Sequence, residues 1–219
     1  MPNRRPRDTR HGNHRDRESR ESRLRIIGGQ LRGRAFDYDG HLATRPMKDR
    51  VREAVFNLIG PAVVDKLVID LFAGTGALAF ESLSRGARRA ILIEQRFPTV
   101  RIININAQQL GLVPQVEVIA GDAFFWSRKL QSPDPISWLV FCCPPYDLFL
   151  SAGEPMRALL NDLVDRAPHG SVFVVECDKR FSTDELPTRV SWDVRQYPPA
   201  VVAIGELLTE LPVTNLEGG

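Results

Sequence analysis

Cysteine is scarce in this 219-residue chain, which contains three, two of them adjacent at Cys142 and Cys143. So few thiols cannot form the disulfide framework of a small secreted domain, and none of them belongs to a Cys-x-x-Cys pair of the kind that binds zinc. We therefore expect a reducing, cytoplasmic environment and no metal site.

Long apolar runs are also missing. No stretch approaches the roughly 20 apolar residues that cross a bilayer, and no apolar segment follows the basic N-terminal region as it would in a secretory signal. We expect neither a membrane span nor a signal peptide. Hydrophobic residues make up 43% of the chain, which suffices for the core of one α/β domain but hardly for two.

The small net charge of +2 hides a strongly basic N-terminal tail. Residues 1–23 contain eight Arg against four Asp or Glu and almost no apolar side chain. Such a segment buries too little surface to offset the entropy lost on ordering, so we expect it to be disordered. It is either a solvated extension or an arm that holds RNA through its phosphates, and both interpretations stay open.

Residues 24–60 predict an N-terminal extension made of a β-hairpin and a helix. Two short β segments surround Gly28-Gly29, and a helix is expected to begin after Pro46 and to end at Gly60. The apolar side of that helix includes Val55 and Phe56. Its polar positions are Lys48, Arg50 and Arg52.

Residues 61–210 predict an α/β domain, and residues 211–219 a C-terminal tail. Apolar segments at 66–72, 89–94, 116–120, 137–143 and 171–176 alternate with helical patterns at about 77–85, 97–110, 124–130 and 151–166. This alternation is typical of a mostly parallel sheet with helices on both faces. Residues 188–209 hold two β-rich segments with no helix between them, which predicts an antiparallel hairpin.

A glycine-rich loop follows the first predicted strand. In "VIDLFAGTGALAFE", Gly74-Thr75-Gly76 lies where backbone amides and a helix N-terminus can approach a ligand closely. Together with Ala79, and with Glu94 twenty residues after Gly74, the loop also satisfies a dinucleotide-binding fingerprint. The loop alone therefore does not distinguish a dinucleotide from other ligands that bind at a helix N-terminus.

Acidic residues follow three successive predicted strands: Asp70, Glu94 and Asp122. The carboxyl ends of parallel strands meet at one edge of a sheet, where open α/β sheets bind ligands. Three carboxylates suit a ligand with a cationic end, a ribose and an adenine but no pyrophosphate, and S-adenosylmethionine (AdoMet) is such a molecule. The alternative is that Asp70 and Asp122 merely cap the following loop or helix.

The segments "DLFAGTGALAFESLSRGA", "LIE", "GDA" and "PPY", at these spacings, resemble the motifs of class I methyltransferases. With "RIIGGQLRGR" and "TRPMKDRVREAVFNLI" in front, residues 24 to about 208 resemble the RsmD family, bacterial enzymes that methylate the exocyclic N2 of a guanine in small-subunit rRNA. The resemblance implies a Rossmann-like fold with a mostly parallel seven-stranded sheet and an antiparallel C-terminal hairpin. It also implies AdoMet as cofactor, small-subunit rRNA or an assembling small subunit as partner, and a monomer.

The resemblance also implies a role for particular residues. The cofactor-binding residues would be Asp70, Phe72, Ala73, Gly74, Gly76, Glu94, Asp122 and Ala123. Among these, Glu94 would hold the ribose hydroxyls and Asp122, with the Ala123 amide, the adenine. The target base would lie against Cys143, Pro144, Pro145 and Tyr146. RNA phosphates would contact Arg34, Arg45 and Lys48, with Arg50 and Arg52 in the same block as further candidates or as an exposed helix face.

Cys143 departs from the family pattern, which has Asp or Asn before Pro-Pro. A guanine N2 amine is a poor nucleophile and must be oriented by acceptors, and a thiol is a weak acceptor. Three interpretations remain open: Cys143 is tolerated, it is a nucleophile, or the protein binds without turnover. Asp147 is either a substitute carboxylate or a helix cap, and Cys142 is expected to point into the core because strand residues alternate in direction.

Overall fold

The computed structural model describes residues 23–38, 47–130 and 136–208. The predicted N-terminal tail, residues 1–23, lies outside the described residues except for Arg23, which begins the first strand. The predicted C-terminal tail, residues 211–219, and the predicted RNA contact Arg45 also lie outside them.

The described chain begins with the predicted hairpin. Strand β1 (Arg23–Arg25) pairs antiparallel with β2 (Ala35–Asp37), and the turn between them contains Gly28, Gly29 and Gly33. Helix α1 (Asp49–Ile59) follows, and a single 3₁₀ turn (Gly60–Val63) leads into the main sheet.

Seven strands form the main sheet: β3 (Leu67–Asp70), β4 (Arg89–Glu94), β5 (Val116–Ala120), β6 (Trp138–Cys142), β7 (Val172–Asp178), β8 (Val190–Tyr197) and β9 (Ala200–Leu207). Their order across the sheet is β5-β4-β3-β6-β7-β9-β8. The first five are parallel, whereas β9 runs antiparallel to both of its neighbours. The predicted sheet with its antiparallel hairpin is therefore confirmed.

The helices connecting the strands differ from the prediction at one place. The expected helix at 151–166 is observed at Gly153–Arg166, and a second helix that was not predicted, Tyr146–Ser151, precedes it directly after the two prolines. Pro145 presets the backbone for a helix start, and its carbonyl accepts the Leu148 amide at 2.8 Å. The helices after α1 are α2 (Ala77–Ser84), α3 (Phe97–Leu110), α4 (Ala123–Lys129), α5 (Tyr146–Ser151) and α6 (Gly153–Arg166). Among them and α1, none is long and apolar enough to cross a membrane.

The core has two layers because alternate strand residues face opposite sides of the sheet. Phe141 packs on the face covered by α1, α2 and α3, and its ring lies 6.0 Å from that of Phe56. Cys142 faces α6, with its Sγ 3.6 Å from Sδ of Met156, and is 1% exposed. Cys143 packs against the first face again. The prediction that Cys142 points into the core is confirmed.

The prediction that Arg52 contacts RNA phosphates or lies on an exposed face of helix α1 is wrong. Its side chain is fully buried, and Nη2 donates to the carbonyl of Arg25 at 2.7 Å and to Oδ1 of Asp49 at 3.0 Å. Arg52 is thus neither part of a phosphate-binding rim nor an exposed surface residue. It instead holds the hairpin against α1.

Candidate functional site

The candidate site lies where the carboxyl ends of β3, β4, β6 and β7 meet. Asp70 is the register partner of Phe141, and the Leu71 amide donates to the Phe141 carbonyl at 3.0 Å. This pairing places the glycine-rich loop after β3 beside the Cys143-Pro144-Pro145 segment after β6. Both predicted halves of the site therefore meet at one edge of the sheet.

The loop after β3 is a tight turn that depends on its glycines. The Ala73 amide donates to the Ile93 carbonyl at 2.9 Å, and the Gly76 amide to the Ala73 carbonyl at 2.7 Å. Gly74 and Gly76 have φ values of 51° and 76°, a region that side chains disfavour. A Cβ on Gly76 would also lie 2.9 Å from the ring of Phe80. The turn keeps the backbone bare on the side where a ligand would approach.

Glu94 at the end of β4 holds this loop. Its Oε2 accepts the Gly74 amide at 2.9 Å, and its Oε1 accepts the Arg96 amide at 2.8 Å. Each carboxylate oxygen has a second lone pair, so hydroxyl groups of a ligand can be added without breaking these bonds. The carboxylate is therefore fixed in position before any ligand binds.

Asp70 is the least satisfied group of the site. It is 1% exposed, and neither carboxylate oxygen has a hydrogen-bond partner of normal geometry. Burial, and next the nearby Glu94, raise the pKa of Asp70 to about 7, with the Phe72 amide opposing this shift. A buried carboxylate without donors is costly, and a cationic ligand would relieve that cost. The site thus fits a cofactor with a cationic end, such as AdoMet.

Asp122 behaves as the capping alternative predicted. Its Oδ1 accepts the Phe125 amide at 3.0 Å, so Asp122 is the N-cap of α4. The side chain is exposed at the site edge, while Ala123 is buried and the rings of Phe72 and Phe124 pack edge to face at 6.1 Å. Asp70, in contrast, accepts no hydrogen bond of normal geometry. Only Asp70 therefore lacks a structural role among the three acids.

Cys143 sits on the border between the core and the site. Its pKa is raised well above the usual value by burial, and then by Glu176 and Asp70, whose negative charges disfavour a thiolate. The thiol is therefore neutral at physiological pH, which argues against a nucleophilic cysteine. Pro144 is buried and Pro145 is exposed next to it.

Tyr146 has a partner that the sequence reasoning missed. Its hydroxyl donates to Oε1 of Glu176 on β7 at 2.8 Å. The rule that selected Asp70, Glu94 and Asp122, an acid at the carboxyl end of a strand, also selects Glu176, because the acid stands in "VFVVECD" near the end of β7. Burial raises the pKa of Glu176, and the bond from Tyr146 opposes that shift.

Asp147 does not act as a substitute carboxylate in this arrangement. Its side chain is 86% exposed and pairs with Arg180 at 2.9 Å, and Arg180 also pairs with Asp178 at 2.7 Å. The pair links the start of α5 to the end of β7.

The described RNA candidates lie on different elements. Arg34 is exposed, and its Nη2 donates to the carbonyl of Gln109 near the end of α3 at 2.7 Å. Lys48 is exposed directly before α1. Among the described ranges, no group of three or more His, Cys, Asp or Glu side chains could hold a metal ion.

Comparison with known proteins places the chain in a family. The model described as "Conserved hypothetical protein 95" matches residues 24–198. "Ribosomal RNA small subunit methyltransferase D" from Escherichia coli strain K12 is 48% identical over 130 residues, which cover 58% of this chain and 63% of that protein. The Haemophilus influenzae protein of the same name is 32% identical over 74% of this chain and 83% of its own length. The chain belongs to the RsmD family of methyltransferases.

Among solved structures, an RNA methyltransferase from Salinibacter ruber in complex with S-adenosyl-L-homocysteine shares the fold. The TM-score is 0.55 at 18% identity, over 77% of this chain and 97% of that one. The fold of this RsmD family member is thus the class I methyltransferase fold, as its sheet order also indicates.

Proposed function

We propose that this RsmD family member is an AdoMet-dependent methyltransferase that modifies the exocyclic N2 of a guanine in small-subunit rRNA. The observation that carries the proposal is the buried, unpartnered carboxylate of Asp70 beside the Pro144-Pro145-Tyr146 turn. A site for a cationic ligand and a site for a planar base thus share one edge of the sheet.

The residues around the glycine-rich loop would hold AdoMet. Asp70 and the backbone from Phe72 to Gly76 would surround its methionyl end, Glu94 would accept the ribose hydroxyls, and Asp122 with the Ala123 amide would contact the adenine. AdoMet supplies an electrophilic methyl group on a sulfonium sulfur. The N–C bond would form as the C–S bond breaks, the sulfur would leave as a neutral thioether, and the proton lost by the nitrogen would pass to solvent water. The two bonds from backbone amides to Glu94 keep the loop ready for this ligand.

The target base would be held by the segment after β6. The Pro144 carbonyl would accept one hydrogen of the exocyclic amine, and the ring of Tyr146 would stack on the base. The two prolines fix the backbone there and lack amide hydrogens that would compete for the same acceptor. Such positioning accounts for much of the rate when a weak nucleophile must be aligned.

The partner would be small-subunit rRNA, free or in an assembling subunit. Residues 24–60 would form the RNA-contacting extension, with Arg34, Arg45 and Lys48 on phosphates. The Arg-rich tail, residues 1–23, would add a contact without sequence preference.

A second candidate function is a binding factor without turnover. The observation that favours it is Cys143, a neutral, partly buried thiol at the position where a side-chain acceptor is expected. Such a protein would still bind AdoMet and RNA.

The deciding experiment is a methylation assay with the full chain, labelled AdoMet and small-subunit rRNA from cells that lack the modification. We expect label in N2-methylguanosine after digestion to nucleosides. Transfer that fails where an Asp-bearing family member succeeds, with AdoMet binding intact by calorimetry, would favour the binding factor. Absence of AdoMet binding would rule out both functions.

A further inference from the structure

Glu176 is the acid at the edge of the site that has no chemical role in the proposed reaction. It lies on β7, next to β6, and the register pairs Cys142 with Val175. Continued by one residue, this register places Glu176 beside Cys143. Because Phe141 and Val174 share the face covered by α1, α2 and α3, the side chains two residues further on, Cys143 and Glu176, point to that same side.

The contacts of Glu176 leave half of its carboxylate unused. Oε1 accepts the Tyr146 hydroxyl at 2.8 Å, whereas Oε2 has no hydrogen-bond partner among the described residues. The carboxylate thus accepts the Tyr146 hydroxyl and lies on the same side of the sheet as the thiol of Cys143. An acceptor at this place is what the site lacks if Cys143 replaces an acidic or amide side chain.

The geometry points to Glu176 as the side-chain acceptor that binds the exocyclic amine of the target guanine, in place of an acceptor at position 143. This inference rests on the proposed function. The side chain of Glu176 is one methylene longer than an aspartate, so it can reach from the neighbouring strand into the space beside Cys143. The Pro144 carbonyl would accept a hydrogen bond from one amine hydrogen, and Oε2 of Glu176 would accept one from the other.

The bond to Tyr146 supports this assignment. It fixes the rotamer of Glu176, and it sets the carboxylate next to the ring that would stack on the base. A charged acceptor binds an amine hydrogen more strongly than a neutral one, so the carboxylate also compensates for the weak thiol.

The rival role for Glu176 is to hold the Tyr146 ring alone. Glu176→Leu removes both oxygens at nearly constant size, and Tyr146→Phe removes the same hydrogen bond from the other side while keeping the ring. If Glu176 contacts the amine, Glu176→Leu should impair base recognition and turnover strongly, whereas Tyr146→Phe should impair them only mildly. If it only holds the ring, the two variants are equally impaired.

The first measurement is equilibrium binding without turnover. The full chain is saturated with S-adenosylhomocysteine and titrated with a short single-stranded RNA containing one guanosine, or with the same RNA containing inosine, which lacks the exocyclic amine. We expect the wild type and Tyr146→Phe to prefer guanosine by roughly tenfold, the scale of one charged hydrogen bond. Glu176→Leu should lose most of this preference and keep only the part that the Pro144 carbonyl contributes.

The second measurement is turnover. Glu176→Leu should lower kcat about 100-fold, as expected for one lost positioned group, without changing the KM for AdoMet. Adding Cys143→Asp to Glu176→Leu should recover most of the loss, because it restores an acceptor from the other strand. Unchanged thermal unfolding of Glu176→Leu is the control for folding.

The inference is wrong if Glu176→Leu keeps the full preference of the wild type for guanosine, or if Tyr146→Phe loses as much of that preference as Glu176→Leu does. Its failure is distinct from that of the proposed function. A wild type that transfers no methyl group, yet shows a preference for guanosine that depends on Glu176, would contradict the proposed reaction and support the role of Glu176.

Discussion

The carboxylate of Glu81 on α2 accepts the backbone amide of Gly28 at 2.7 Å. Its other oxygen accepts the Ile27 amide, also at 2.7 Å, and Arg85 pairs with the same carboxylate at 2.8 Å. Glu81 is 1% exposed, so these bonds are shielded from water. The N-terminal hairpin is thereby locked onto the domain by a buried side chain, which gives the "RIIGG" block a structural reason.

The approach of the hairpin to α2 makes Gly29 irreplaceable. Gly29 has a φ of 75°, and a Cβ there would lie 1.9 Å from the Ser84 carbonyl oxygen. Gly33 has a similar φ of 82° but open space around it. We expect Gly29→Ala to lower the free energy of unfolding by about 3 kcal/mol or more, and Gly33→Ala by about 1–2 kcal/mol, the cost of the backbone conformation alone.

Urea denaturation of both full-length variants measures this difference. Equal costs for the two substitutions would mean that the hairpin moves away from α2 without penalty.

The regular part of the fold could be predicted because periodicity encodes it. Apolar runs in β3, β4 and β6 gave the parallel sheet, and the missing helix between β8 and β9 gave the hairpin. The acids Asp70 and Glu94 could be placed at one edge since parallel strands end together. Local patterns determine these features, so no tertiary contact had to be known.

The features that were missed depend on contacts between distant segments. Arg52 reads as a surface residue, because nothing near it in the sequence shows that the Arg25 carbonyl will meet its guanidinium. Glu176 follows the same strand-end rule as Asp70, but its importance emerges only from the hydroxyl of Tyr146, thirty residues earlier. That Asp70 is buried without a hydrogen bond of normal geometry could likewise not be predicted, since strand ends are usually exposed to solvent.

Asp70 should make the protein less stable as the pH rises. Its pKa is about 7 in the folded protein against an ordinary 3.8, so the fold binds the proton more tightly than the unfolded chain. The stabilisation from this proton is complete below pH 4, is lost as the pH rises to about 7, and stays lost above; the loss is at most roughly 4 kcal/mol. Asp70→Asn should therefore stabilise the cofactor-free protein at pH 8.

The same substitution should weaken AdoMet binding at least tenfold, because the cationic end of the ligand loses its carboxylate. Denaturation at pH 5 and pH 8, with calorimetry of AdoMet binding, measures both effects. Asp193→Asn on β8, an exposed site paired with Arg195, is the control and should change neither. If Asp70→Asn is less stable than the wild type at pH 8, the carboxylate of Asp70 has a stabilising partner and is not unpartnered.

Cys143 should be dispensable as a nucleophile. Burial and the neighbouring Glu176 hold its thiol pKa far above neutral, so thiolate is scarce. Cys143→Ser should keep methyl transfer within about fivefold of the wild type, and iodoacetamide at pH 8 should modify position 143 much more slowly in the folded than in the urea-unfolded chain. A loss of about 1000-fold in the rate of methyl transfer by Cys143→Ser, or a covalent adduct between Cys143 and RNA, would support a nucleophilic cysteine instead.

RNA affinity should depend on Lys48 and Arg34 through phosphate charge. Both are exposed, and Arg34 is held against the end of α3 by the Gln109 carbonyl, which orders its guanidinium before RNA binds. Each substitution to Gln should weaken binding and reduce the slope of log affinity against log salt by about 0.7, the value for one phosphate of a single strand. Arg195→Gln, on the exposed hairpin strand β8, is the matched control and should leave the slope unchanged.

Filter binding of a small-subunit rRNA fragment between about 50 and 200 mM salt measures the slopes. If Arg195→Gln changes the slope as much as Lys48→Gln does, RNA binding is spread over the whole surface, and residues 24–60 have no special part in it.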